Sequence, residues 1–396
     1  MTYHTDALSH GIGNSAVSSQ WYNRPDDEKY LSLDAMLAAK RVDAQSMSSR
    51  IVNTHRLQIT GDFDEANPSR GEITIDYADE NRDEHNNVPT NWSFGQLAQL
   101  AGAPAGYLRD LPAPLAAEAL SWGLKFNRGK ELIKVFGERG HGGELRAATG
   151  PDYGRIYDWE ILDPIKKLVD QSGGRWKVPG MMTGSRDGMA VYDPEIPVTT
   201  DTTTLFASDR DVFVFLVDDR NPIEVGTLAN GEPDLMFRGF YAWNSETGSK
   251  TAGIAAMYLR GVCMNRNLWG VENFHEIKIR HTKFAPDRFA QEARPALQSF
   301  ANGATSTFVE GVMAAKAAKI AKDDDGRLDF LTKRAGLSGR MAKAAAARHL
   351  IEEGRPVETV WDAAQAITAI ARDIPHQDAR IEIERKAGAL LEKVAA

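Results

Sequence analysis

The chain reads as an α+β protein: an irregular, antiparallel-rich sheet with flanking helices, followed by a helical C-terminal domain. Two observations carry this. Up to about residue 284, short segments alternate apolar and polar residues at the period of a strand, with amphipathic helical stretches between them. From Pro286 on, Ala, Leu, Lys, Arg and Glu dominate, and breaks at 323–326, 336–339 and 354–356 divide that third into helical blocks. Four or five helices of about 12–20 residues fit it. The division that follows is a mobile arm over 1–28, a core domain over 29–285 and a helical domain over 286–396. A length of 396 residues fits about two domains.

Taken in order, YLSLDAMLAAKR (30–41) is a short amphipathic helix, with Ser32 as its cap and Asp34 near its positive end. Residues 56–59 and GEITIDY (71–77) alternate like strands, with Ile73 and Ile75 on one face. ADENRDEHNN (78–87) reads as an exposed acidic loop. Residues 92–126 give two or three short helices broken at Pro104 and Pro112; a helix-turn-helix likeness at 93–104 is better explained by packing. Residues 132–136 and 144–148 are strand candidates, and 153–171 is a turn running into a helix with Ile161, Ile165, Leu168 and Val169 on one side. Strands follow over 176–193, 211–218 and 234–242. After a polar turn, TAGIAAMYLRGVC reads as a helix, and HEIKIRH (275–281) alternates with His275, Ile277, Ile279 and His281 on one face.

Composition excludes several classes. The hydrophobic share of 42% and charged share of 26% are those of an ordinary globular chain. The apolar run VFVFLV is far short of the about 20 residues that span a bilayer, and the N-terminus has no basic start followed by an apolar block. One cysteine, Cys263, excludes an intrachain disulfide and a multi-cysteine zinc site. These features place the protein in the cytoplasm, with no membrane partner and no cofactor motif. A net charge of −8 argues against coating nucleic acid through the overall field. The charge is uneven, however: residues 51–90 sum to −6, 250–288 to +4 and 327–349 to +5.

Functional groups concentrate in two polar turns. In WNSETGSKT, Asn244, Ser245, Glu246 and Gly248 can cap a following helix or form an anion-binding turn with Lys250. It is no Walker loop, because Trp243 stands where the first Gly is required. In RGVCMNRNLWG, Arg266 projects from a turn and Trp269 offers a stacking face; Cys263 reads as an inert core thiol. SDRDVFVFLVDDRNP places Asp209, Asp211, Asp218 and Asp219 at the two ends of a strand, where they can hold magnesium or simply pair with Arg210 and Arg220. In ELRAATGPDYGRIYD, Arg146 and Arg155 can contact phosphates. His275 and His281 stand too far apart on one strand to make a metal pair, and no metal site is assigned.

The order ELRAATGPDYGRIYD, then FRGFYAWNSETGSKTAGIAAMYLRGVCMNRNLWG, then IRHT, resembles a family of phage, prophage and plasmid proteins catalogued as a domain of unknown function. The resemblance covers roughly 92–288 and rests on an NSE-G segment and an R-x-C-x-N segment. One departure is Asn265-Arg266, where relatives often carry Asn-Gly. The family's setting on mobile elements implies a role in DNA metabolism and transfers no catalytic residues.

The first expectation is therefore a non-enzymatic, oligomeric nucleic-acid-binding protein, with single-stranded DNA favoured. Lys250, Arg260, Arg266, Lys278, Arg280 and Lys283 would contact phosphates, and Trp243 and Trp269 would stack on bases. The alternatives are a magnesium-dependent nuclease or phosphoester hydrolase using Asp209, Asp211 and Glu246, and a protein-interaction module acting on a host DNA-binding protein through its acidic loop.

Overall fold

The computed structural model describes residues 24–63, 65, 71–78, 84–126, 131–179, 181–186, 189–193, 197–200, 203–227, 231–260, 266–267, 277–303, 306–371, 373–374 and 377–395, with backbone alone at 181–186, 189–193, 259–260, 266–267, 294, 301, 307, 377–381, 392 and 394–395. In chain order come β1 (Lys29–Tyr30), α1 (Leu33–Ser46), β2 (Met47–Asn53), β3 (Gln58–Gly61), β4 (Ile73–Ala78), β5 (Glu84–Pro89), α2 (Asn91–Ala101), α3 (Ala105–Asp110), α4 (Ala113–Phe126), β6 (Leu132–Glu138) and β7 (His141–Thr149). Next are α5 (Asp158–Gln171), β8 (Trp176–Lys177), β9 (Met181–Arg186), β10 (Met189–Asp193), β11 (Leu205–Ala207), β12 (Val212–Thr227), β13 (Pro233–Asn244), β14 (Ala252–Arg260), β15 (Arg266–Asn267) and β16 (Ile277–Ile279). The remainder is helical: α6 (Ala285–Asn302), α7 (Ser306–Ala317), α8 (Asp324–Asp329), α9 (Gly339–Glu353), α10 (Val360–Ala371) and α11 (Gln377–Ala395). The fold is α+β, as the sequence predicts.

A six-stranded sheet, in the order β2-β6-β7-β5-β4-β3, is antiparallel except between β5 and β7. The period of two along β6 turns Ile133 and Val135 into a core with Phe94 and Leu97 of α2 and Leu120 of α4. It turns Lys134 and Phe136 to the opposite face, where Phe136 packs with Met47, Ala147 and Tyr157. β5 begins at Glu84, so strand pairing takes up the last four residues of the expected acidic loop; 79–83 lie outside the described residues.

The second sheet runs β1-β11-β12-β13-β14-β15, with β16 added to β14 and β8 to β12. Its inner face packs Leu216, Phe240 and Ile254 against Met36 of α1, Ile161 and Ile165 of α5, and Phe289 and Leu297 of α6. The other face buries Phe213, Phe215, Tyr241 and Trp243. α1 follows its sequence signals: Ser32 Oγ accepts from Ala35 N at 3.2 Å, and Leu33, Met36 and Leu37 are buried. The far ends of the long strands, through Ile223, Val225, Met236 and Tyr258, enter a separate core with α7, α9, α10 and α11. The composition change at 285/286 coincides with the start of α6, which packs on the sheet together with the preceding strands.

One expectation is corrected here. The segment after the NSETGSK turn is not a helix but β14, paired with β13 in the register Trp243↔Gly253 and Gly239↔Met257. Residues 252–258 are all buried, and a continuous apolar run has no periodicity to tell a helix from a strand. Pairing with β13 from Met236 to Trp243 settles it. Gly253 is also required there, because a Cβ would lie 2.2 Å from the Trp243 ring. Residues 1–23 lie outside the described residues, but Arg24 pairs with Asp211 at 2.7 Å. Among the described residues no helix is long and apolar enough to cross a membrane.

Candidate functional site

The NSETGSK turn lies where the two sheets meet, and it is buried from Asn244 to Thr247. Two of its amides are engaged within the turn. Ser245 Oγ accepts from Thr247 N (3.3 Å) and Ser249 N (2.9 Å), and it donates to Arg210 O (2.7 Å). The carbonyls of the turn hold the first sheet and its helices. Thr247 O accepts from Trp92 Nε1 (3.1 Å) and Gln96 Nε2 (2.8 Å), and Ser245 O accepts from Tyr153 OH (2.9 Å). The expectation of a helix start after the turn is thereby corrected. No helix follows, and the turn joins the sheets.

Beneath it sits a buried charge cluster. Asn244 Nδ2 donates to Ile156 O (2.8 Å) and to Asp158 Oδ1 (2.7 Å), while Glu246 Oε1 accepts from Asp158 N (2.7 Å). Burial, and then the charge of Glu246, push the Asp158 carboxyl well above its usual range. Burial pushes Glu246 up too, against the Asp158 amide and Lys40. Lys40, one turn on from Met36 and Leu37, donates to Ser208 O (2.9 Å) and pairs with Asp43 (3.3 Å). Burial pulls its ammonium down, but Asp158, Asp43 and Glu246 more than offset this. Asp43 also pairs with Arg146 at 2.8 Å. A cleft of about 770 Å³ opens beside these groups, lined by Lys40, Asp43, Arg146, Ser208, Asp209 and Glu28 among others.

The acidic residues in and just before β12 separate into two sets. Asp211 is held by Arg24 and Lys250, each at 2.7 Å; burial opposes its ionisation, yet the two cations keep it well below the carboxylate range. Asp209 lies 3.6 Å from Arg210. At the other end, Asp218 pairs with Arg175, and Asp219 with Lys177 at 2.9 Å. Among the described residues no three metal-ligating side chains come together, so Asp209, Asp211 and Glu246 form no magnesium cluster.

A basic edge runs along the same seam. β16 pairs with β14, and Lys278, Arg280, Thr282 and Lys283 are exposed. Phe284 is 58% exposed, with Lys283 Nζ 4.9 Å from its ring centroid. The edge is locked to the first sheet: Gly154 N donates to His281 O (3.1 Å), and Lys134 Nζ donates to Tyr153 O (2.7 Å). Gly154 must be glycine for this contact, since a Cβ would lie 1.8 Å from Thr282 O. His281 Nδ1 lies 3.0 Å from Gly154 O, which can only accept, so Nδ1 carries the proton and Nε2 has none. The ring stacks on Tyr153 at 4.9 Å, and burial chiefly lowers its pKa to about 4. Next to it Arg155 is buried, with Nε 3.5 Å from Ser49 Oγ and Cζ 3.9 Å from the Phe136 ring centroid.

Of the residues expected to bind nucleic acid, Lys278, Arg280 and Lys283 are brought together on this edge. Lys250 is not free for phosphate, because it neutralises Asp211. Trp243 is fully buried beside Tyr241 and cannot stack on a base. Arg260 and Arg266 are placed by backbone alone, at Met236↔Arg260 and Leu259↔Arg266. Trp269, Cys263 and His275 lie outside the described residues. Sequence reasoning missed Lys134, Phe284, Lys40 and Asp158. Lys40 alone carried a signal, continuing the stripe of Leu33, Met36 and Leu37 at helical spacing.

The pattern of a domain of unknown function, DUF932, matches residues 149–372. No curated protein and no solved structure matches the chain.

Proposed function

The chain belongs to the DUF932 family, a domain of unknown function, and on that footing we propose that the protein binds nucleic acid, single strands in preference, along the edge formed by β16 and the turn after it. The observation that supports this is the grouping of exposed Lys278, Arg280 and Lys283 beside an exposed aromatic, Phe284. Cations held on a strand contact phosphates, and an aromatic face accepts a base of any identity. Lys278 and Arg280 stand two apart on one face, a rise of about 7 Å along the strand. In this reading the buried NSETGSK turn is the joint that fixes the edge relative to the first sheet. The setting in replication or recombination of a phage, prophage or plasmid is part of the proposal and rests on the resemblance in the order of motifs. A nuclease at Asp209, Asp211 and Glu246 gains no support from the ion pairs of the two aspartates or from the Asp158 amide on Glu246.

The test is fluorescence anisotropy with labelled single-stranded DNA, duplex DNA and RNA at two salt concentrations, with and without magnesium, followed by inspection of the probes for cleavage. Tightest binding to single strands, weakened by salt, is expected. Arg280→Ala with Lys283→Ala should lower the salt slope by about 0.7 for each phosphate that is no longer neutralised. Phe284→Ala should weaken binding by about 1–3 kcal/mol with the slope unchanged. Unchanged affinity in both variants would remove this edge from consideration, and cleaved probes would revive the hydrolase reading.

A further inference from the structure

We propose that Arg155 is the receptor of a buried phosphate group, a site separate from the exposed edge. The starting point is an unmatched donor set. Arg155 is 7% exposed, and among the described residues its Nε reaches only Ser49 Oγ at 3.5 Å and neither Nη1 nor Nη2 has a partner. A guanidinium presents five N–H donors in one plane, so four buried donors here face no acceptor among the described residues. Leaving charged donors unmatched costs more than losing an ordinary hydrogen bond. Such an arrangement is stable when something outside the chain supplies the acceptors.

Two further features select an oxyanion. Arg155 Cζ lies 3.9 Å from the Phe136 ring centroid and 5.3 Å from that of Tyr153, so aromatic faces hold the guanidinium while supplying no oxygen acceptor to its N–H groups. Lys134, fixed on β6 by its bond to Tyr153 O, is a second cation in the same field. Burial, and then the charge of Arg155, hold its ammonium below the ordinary lysine value. Among the described residues no carboxylate forms an ion pair with either cation. Glu246 acts on Arg155 only through space, with its Oε1 engaged by the Asp158 amide. A phosphate offers several acceptor oxygens on a tetrahedral frame. It can take the planar fork on two of them and keep others for Lys134 and the Ser49 hydroxyl; a carboxylate, with two oxygens, fills the fork alone.

The experiment uses the full chain and inorganic phosphate as probe, read by thermal unfolding and by titration calorimetry against sodium chloride of equal ionic strength. Phosphate should raise Tm in a saturable way beyond chloride. Arg155→Gln should abolish that rise, and Lys134→Gln should weaken the apparent affinity about tenfold. Arg280→Ala with Lys283→Ala should leave it intact, which separates this site from the exposed edge. If Arg155→Gln does not fold, the Lys134→Gln comparison decides. A phosphate response no greater than that of chloride overturns the proposal, and so does a full response in Arg155→Gln or, failing that, in Lys134→Gln. Oligonucleotides with and without a 5′-phosphate identify the source. A preference for the phosphorylated form that is lost in Arg155→Gln, or in Lys134→Gln if that variant does not fold, assigns the group to a nucleic-acid end. Equal binding of the two forms, alongside a response to inorganic phosphate, assigns it to a free phosphate.

Discussion

At the scale of single residues, the seam titrates in two directions. His281 is held neutral, with a folded pKa of about 4 against an ordinary 6.5. The unfolded chain takes up this proton at a higher pH than the folded one. Stability from His281 is therefore complete above pH 6.5 and is lost as pH falls toward about 4. At about 1.4 kcal/mol per unit the loss is on the order of 3 kcal/mol. His281→Gln should flatten urea-unfolding stability between pH 6.5 and 4; an unaltered slope would show that another group carries the acid sensitivity. Asp158 has the opposite sign. Its carboxyl is pushed up by burial and by Glu246, so the folded chain keeps a proton that the unfolded chain has released. Stability then falls as pH rises above the ordinary carboxylate range. Asp158→Asn keeps an acceptor for Asn244 Nδ2 and should make the stability of the variant decline less between pH 4 and 7 than that of the parent.

At the scale of elements, Gly154 decides whether the basic edge is held. A Cβ there would lie 1.8 Å from a backbone oxygen, a contact that no flexible side chain can relieve. Gly154→Ala should displace the 281–283 segment, cost about 1–3 kcal/mol and speed hydrogen exchange at the Gly154 amide, which bonds His281 O. Exchange as slow as in the parent would mean that the edge tolerates the change. The sequence made some of these elements legible and hid others for a physical reason. Where one face is buried, as in 71–77 and 277–280, alternation shows the strand and puts Lys278 and Arg280 outward. α1 was legible from its cap and stripe. β14 was not, because a strand buried on both faces has no polar period, and the polar turn before it carries the same residues as a helix start. Likewise Trp243 is aromatic next to a polar turn, and only its pairing partner Gly253 reveals that the ring lies inside the sheet. Arg155 and Lys134 converge on β6 from different segments, a proximity that no local spacing records.

At the scale of the whole molecule, the composition change near residue 285 marks where strands stop, which is a different matter from where one core ends. α6 packs on the inner face of the second sheet, and the helices from α7 on share a core with the ends of β12, β13 and β14. Two polar contacts fasten this junction. Arg238 of β13 donates to Phe300 O (3.1 Å) and Gly303 O (2.8 Å) where α6 ends. Lys316 of α7 donates to Val225 O (2.7 Å) and pairs at 2.6 Å with the buried Asp234. Replacing Lys316 with Met keeps most of the apolar stem against Trp361 but strips Asp234 of the cation shown beside it. Removing one partner of a buried pair costs about 3–5 kcal/mol; with Lys316 partly exposed, on the order of 2–3 kcal/mol is expected. Because β12 and β13 belong to both cores, that loss should move one cooperative transition rather than release the C-terminal helices alone. Chemical denaturation followed by far-UV circular dichroism and by tryptophan fluorescence checks this. Coincident curves shifted together bear out a shared core, whereas an early helical phase in Lys316→Met would mean that the helices from α7 on fold as a unit of their own.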